Sequence, residues 1–192
     1  MVETHYSTAF THILLAGSTL WALKSTFNAT EYPYKWIYGT FVPLLVLSIL
    51  GIFRFGNPQY GHKLRTLYNN ILFLSSTLCF PCLATELHLY YGYDGNFALM
   101  NIVAAVFPVV CYYVSKKPSD YMSDMSLILS LLFVCYIGYV ARNYYALAAA
   151  LCYAANFFVI GTCGTFADMP AVELFTVGLC FFNWFTARAV KD

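Results

Sequence analysis

Seven apolar runs, each near the length of a membrane-crossing helix and separated by only a few polar residues, dominate this chain. A bilayer core about 30 Å thick is crossed by roughly 20 apolar residues in helical form. The runs extend from about Tyr6 to Phe27, Tyr34 to Phe53, Leu64 to Leu87, Asn96 to Val114, Tyr121 to Val140, Tyr144 to Ile160, and from Asp168 or Met169 to about Ala189. In lipid, every backbone amide and carbonyl needs a partner within the protein, which favours helices. The spacing therefore predicts an all-α fold: a polytopic transmembrane helical bundle of about seven spans, with residues 1–192 forming a single domain. Composition points the same way. The chain is 60% hydrophobic and 10% charged, whereas soluble domains carry about 25% charged residues.

The breaks between runs have their own chemistry. Ser115-Lys116-Lys117-Pro118-Ser119-Asp120 ends the fourth run; Ser119 can cap the fifth helix, and Asp120 suits its positive N-terminus. Arg142-Asn143 makes a tight turn, and Gly161-Thr162-Cys163-Gly164-Thr165 a polar link. Pro170 falls in the first turn of the last helix, and Arg188 and Lys191 suit its C-terminal end. Pro43 marks a kink in the second run, and Pro81 lies near the end of the third. Clustered Tyr and Trp, such as Tyr32, Tyr34, Trp36 and Tyr38, or Tyr90, Tyr91 and Tyr93, sit where headgroups would meet them. Met1 to His5 lack the basic start of a cleavable signal peptide, so the first run is expected to stay as a helix.

Lys and Arg do not choose an orientation. Seven spans place Arg54, Lys63, Arg65, Lys116 and Lys117 on one side, and Lys24, Lys35, Arg142, Arg188 and Lys191 on the other. The sequon Asn28-Ala29-Thr30 lies in a very short loop and is expected to be unused. Net charge is +1, which gives no electrostatic reason to bind nucleic acid. The seven cysteines lie in or beside apolar runs and are expected to be reduced, acting as small apolar side chains.

Few residues combine into chemistry. Asp94-Gly95-Asn96-Phe97-Ala98 resembles the start of the CDP-alcohol phosphotransferase signature. However, Leu99 stands where that signature has Arg, and Asp120 and Asp124 follow only after a whole helix. Glu86, His88 and Asp94 share one membrane face and are ligand types that bind metals. A separation of two residues puts Glu86 and His88 about 200° apart on a helix, so they are not expected to converge. Cys79-Phe80-Pro81-Cys82 has redox spacing but sits in an apolar helix, where thiolates are unsupported. His12, Asn101, Asn156 and Asn183 are expected to hydrogen-bond between helices. No residue set implies a cofactor or a catalytic centre.

One packing face stands out. Ala146, Ala150 and Ala154 recur every four residues on the sixth run, and such small faces let helices approach closely. With Asn156 nearby, this face is read as a candidate interface for a transmembrane helix of a partner.

The first span, Tyr6-Ser7-Thr8-Ala9-Phe10-Thr11-His12-Ile13-Leu14-Leu15-Ala16-Gly17, resembles the N-terminus of the transmembrane protein 276 family. The last, with Asn183-Trp184-Phe185-Thr186-Ala187-Arg188-Ala189, is similar to that family's C-terminal end. The resemblance implies a small endomembrane protein that acts with partners, and it carries over no catalytic residue. The expectation is thus a non-enzymatic endoplasmic-reticulum membrane protein, an accessory or anchoring subunit of a larger assembly handling lipid. Its partners would be membrane lipids and a larger membrane protein. The alternatives are an intramembrane lipid-modifying enzyme using Glu86, His88 and Asp94, or a small solute channel.

Overall fold

The computed structural model describes residues 6–27, 35–57, 61–115, 120–166 and 168–191. Met1 to His5, the sequon Asn28-Ala29-Thr30, Tyr32, Tyr34, Lys116, Lys117, Pro118, Ser119 and the side chain of Asp120 lie outside them.

The described residues form seven helices: α1 (Tyr6–Phe27), α2 (Ile37–Gly56), α3 (Gly61–Tyr90), α4 (Gly95–Ser115), α5 (Asp120–Val140), α6 (Tyr144–Ala154) and α7 (Ala171–Ala189). A π-helical turn, Ala155–Ile160, continues α6, and a two-stranded hairpin of β1 (Thr165–Phe166) and β2 (Met169–Pro170) precedes α7. The chain is an all-α bundle. Helices α2, α3, α4 and α5 are each long and apolar enough to cross a membrane, the mark of a multi-pass membrane protein. Helices α1 and α7 do not reach that apolarity over 18 residues, and α6 with its π turn spans Tyr144–Ile160.

Side-chain contacts fix the direction of each neighbour. Ser7 and Thr8 meet Glu173 while Ser18 and Thr19 meet Asn183, so α1 and α7 run parallel. Thr40 meets the Cys79 carbonyl and Arg54 meets Asn69, so α2 and α3 are antiparallel. Thr85 bonds the Ala98 carbonyl and Tyr112 bonds Asn70, which sets α4 antiparallel to α3. Asn143 meets the Ala189 carbonyl and Asn156 the Phe175 carbonyl, setting α6 against α7. Helix α3 runs through the middle. Its Phe80 packs its ring at a tilt against Tyr153 of α6 and Phe182 of α7, and the Tyr153 hydroxyl donates to the Ser76 carbonyl at 2.9 Å.

Helices α2, α3 and α7 differ at their ends from the sequence expectation: α2 runs from Ile37 to Gly56, not from Tyr34 to Phe53. Helix α3 begins before Leu64 and runs to Tyr90 despite Pro81. A proline removes one backbone donor and leaves a carbonyl a turn earlier without its amide. Here hydroxyls bind backbone oxygens around it: Thr85 Oγ1 donates to the Pro81 carbonyl at 2.9 Å, and Thr40 of α2 to the Cys79 carbonyl at 2.9 Å. Helix α7 starts at Ala171, not at Asp168 or Met169. Asp168 has φ of 63°, a left-handed conformation that turns the hairpin instead of opening a helix. The Ala171 amide then bonds the Gly164 carbonyl at 3.0 Å.

Candidate functional site

Glu86, His88 and Asp94 do not converge. Glu86 is buried, and its Oε2 accepts from the Trp36 and Ile37 amides at 2.5 and 3.0 Å. A carboxylate on α3 therefore caps the N-terminus of α2, whose first amides have no intrahelical partner. Its charge also faces the positive end of that helix. The His88 ring points elsewhere: Nδ1 sits 2.8 Å from the Ala84 carbonyl, and Tyr93, Phe97 and Phe133 surround the ring. Asp94 is exposed and caps α4, with Oδ1 accepting from the Asn96 amide at 2.8 Å. Asp124 lies near the start of α5, at the opposite end of the bundle from Asp94, so the phosphotransferase-like spacing gathers nothing.

Cys79 and Cys82 are free and buried. The Cys82 sulfur lies 2.7 Å from where a Cβ on Gly39 would stand, so this glycine is what lets α2 approach α3. The Asn183 amide donates to Thr19 Oγ1 at 2.8 Å and to Ser18 Oγ at 3.2 Å, joining α7 to α1. Among the described residues, Asn101 reaches only the Ala98 carbonyl of its own helix, at 3.3 Å.

The alanine face is placed differently from the expectation. Ala146 and Ala150 are buried in the chain's own core with Tyr153 and Phe182, and Ala154 is half-buried. Asn156 is buried too; its Nδ2 donates to the Phe175 carbonyl at 2.8 Å, and its amide lies against Gly178. Ala146, Ala150 and Asn156 are therefore taken up by packing within the bundle and are not open to a partner in this fold. The physical reason is that a seven-helix chain can satisfy a small-residue face internally. What α6 and its π turn present outward is Tyr144, Leu151, Phe158 and Val159.

A different cluster gathers at the end of the bundle where α2 stops and α3 starts. His12 is fully buried, with Nδ1 2.8 Å from the Thr8 carbonyl and Nε2 2.9 Å from the Tyr68 hydroxyl. A carbonyl only accepts, so in the neutral ring Nδ1 carries the proton and Nε2 accepts from Tyr68. The ring lies directly on Gly51, where no Cβ could fit. Phe55 packs edge-on to Tyr68, and the Arg54 guanidinium stands over both rings, 4.4 Å from the Tyr68 centroid and 4.7 Å from that of Phe55. Cation–π contact and a 2.9 Å bond to Asn69 Oδ1 hold that guanidinium in place. Among the described residues, neither Arg54 nor Arg65 forms an ion pair.

These groups border a cleft of about 400 Å³ between α1, α2, α3 and the hairpin, lined by Arg54, Arg65, Tyr68 and Asn69 and closed by Thr162 and Gly164. A second cleft of about 310 Å³ shares Asn69, Leu72 and Thr162 with it and continues between α3, α5 and the π turn. Ser76, Thr77 and Ser123 line that second cleft. Thr77 and Ser123 are more than nine-tenths buried, and neither hydroxyl has a hydrogen-bond partner among the described residues. Buried polar atoms are rarely left so. Sequence reasoning singled out His12 but not Arg54, Tyr68, Thr77 or Ser123. The signal for Ser123 was present: Ser123, Ser126 and Ser130 recur at helical spacing in an apolar run. The rest meet only through contacts between distant helices.

Comparison of the chain with family models, curated proteins and solved structures finds no match in any of the three.

Proposed function

We propose that this chain is a non-enzymatic, membrane-embedded subunit that anchors or assists a larger membrane assembly. The observation that carries the reading is the use made of its buried ionisable groups. Glu86 caps α2, His12 bonds Thr8 and Tyr68, and His88 sits among aromatic rings. Each supports the bundle, and they lie apart from one another. The connections between described helices are short, leaving little water-facing surface for a reaction or for recognition. A partner is then met within the membrane or at headgroup level, where packing and polar contacts supply affinity. Outward-facing Leu151, Phe158 and Val159 on the α6 segment offer such a surface. The resemblance to the transmembrane protein 276 family supports an endoplasmic-reticulum location and a role in lipid transfer.

Affinity purification in mild detergent, followed by identification of co-purifying proteins, tests this. The expected outcome is a larger multi-pass protein in near-stoichiometric amount. Recovery of the chain alone, from several detergents and at native abundance, defeats the subunit reading.

A further inference from the structure

We propose that the joined clefts form a glycerophospholipid site, with the phosphate held by Arg54 and Arg65 and the ester region lying along Thr77 and Ser123. A lipid bound here is a property of the isolated chain, with or without a larger assembly.

Four features carry the assignment. The arginines stand at the end of the bundle where α2 ends and α3 begins, the level at which a bilayer presents phosphates. Arg54 is preorganised, its guanidinium held over Tyr68 and Phe55 and tied to Asn69. It approaches an anion with little further ordering, and guanidinium groups suit phosphate oxygens. Below the arginines the lining changes to Leu72 and Phe73, and then to the unpartnered hydroxyls of Thr77 and Ser123. Those are donors without acceptors, and ester carbonyls are acceptors without donors. From Asn69 to Thr77 is eight residues of one helix, about 12 Å of rise, enough to pass from a phosphate beyond the ester carbonyls. The order of groups is polar, apolar, polar along one continuous groove, and inorganic phosphate would use only its first part.

Arg54 and Arg65 line only the outer cleft, so a phosphate is favoured at that end of the groove. The basic cleft at the opposite end of the bundle, between Trp21, Lys24 and Arg188, is lined by none of the unpartnered buried hydroxyls.

The test uses the purified full chain in detergent and measures retention of dioleoylphosphatidic acid by native mass spectrometry. Dioleoylglycerol, which lacks the phosphate, and glycerol 3-phosphate, which lacks the chains, are the comparison ligands. Retention of the phospholipid above both is expected. Arg54→Gln or Arg65→Gln should weaken it about tenfold, the usual weight of one charge-assisted hydrogen bond. Lys35→Gln, an exposed charge at the other end, should leave it unchanged. Arg65 is itself exposed, so Arg65→Gln decides the matter if Arg54→Gln does not fold. Ser123→Ala should lower retention of the phospholipid without changing any binding of glycerol 3-phosphate. Equal retention of dioleoylglycerol removes the phosphate from the account, and equal binding of glycerol 3-phosphate removes the lipid. Wild-type retention in both arginine variants, or an equal loss in Lys35→Gln, overturns the site.

Discussion

Glu86 shows how a polar residue inside an apolar helix can be structural without being decorative. Its side chain holds two amides of a different helix, so its removal leaves both without an acceptor. A buried donor left unsatisfied costs about 1–3 kcal/mol. Glu86→Ala should therefore destabilise the protein by about 2 kcal/mol or more. Asp94→Asn, at an exposed cap whose amide oxygen can still accept, should stay within about 0.5 kcal/mol. Thermal unfolding of the two variants in one detergent separates them, and equal effects would show that the cross-helix cap carries no weight. The cysteines give a second test. Cys163 is exposed while Cys79 and Cys82 are buried. All seven should be found reduced, with Cys163 alkylated first and Cys79 and Cys82 only on unfolding, as followed by mass. A bridge between Cys79 and Cys82 would contradict both the burial and the free thiols. The residue scale was the least legible in the sequence. Types and periodicities were visible, but the partner of Glu86 lies 50 positions away and that of His12 56 positions away. One-dimensional spacing does not encode such pairs.

At the scale of elements, the sequence is a good guide to the limits of α1, α4 and α5 and misses those of α2 and α3 by about three residues at each end. Helix α1 spans the expected run, and α4 and α5 lie within a residue or so of it. It was read less well where the ending depends on backbone geometry. Asp168 at positive φ makes a turn in a stretch whose composition also suits a helix start. The sixth helix carries a further lesson. Its alanine spacing was legible, but whether a small face meets another helix of the same chain or of another one is decided by the remaining helices. Here the same chain supplies the contact, so Ala150→Leu acts on the fold itself. Three added heavy atoms at a position 1% exposed should cost about 1–3 kcal/mol by overpacking. Leu151→Ala, on the outward face at 69% exposed, should leave the unfolding temperature nearly unchanged. If Ala150→Leu were as stable as the wild type, the α6 packing described above would be wrong. If Leu151→Ala alone released a co-purified partner, the outward face of α6 would be part of its interface.

The whole molecule makes a claim about topology that no single helix makes. Helices α1 and α7 are parallel, and each intervening contact that fixes a direction reverses it: α1 against α2 through His12 and Gly51, α2 against α3, α3 against α4, α5 against α6 through Gly138 and Leu147, and α6 against α7. Helices α2 to α5 are long and apolar enough to cross a membrane, and the others are packed alongside them. Helices α1 and α7 fall short of that apolarity, yet their polar side chains largely face each other or the core: Thr8 meets Glu173, Thr19 meets Asn183, and His12 meets Tyr68. Inward-facing polar groups are the kind a membrane helix tolerates. We therefore expect seven crossings and termini on opposite sides. Tags placed at each end of the chain, in sealed membrane vesicles treated with protease before and after permeabilisation, check it. One tag should be cleaved in intact vesicles and the other only after permeabilisation. Cleavage of both tags in intact vesicles, or protection of both, would mean an even number of crossings. The α6 segment, the shortest of the seven, would then be the first candidate for a helix that enters the membrane without crossing it.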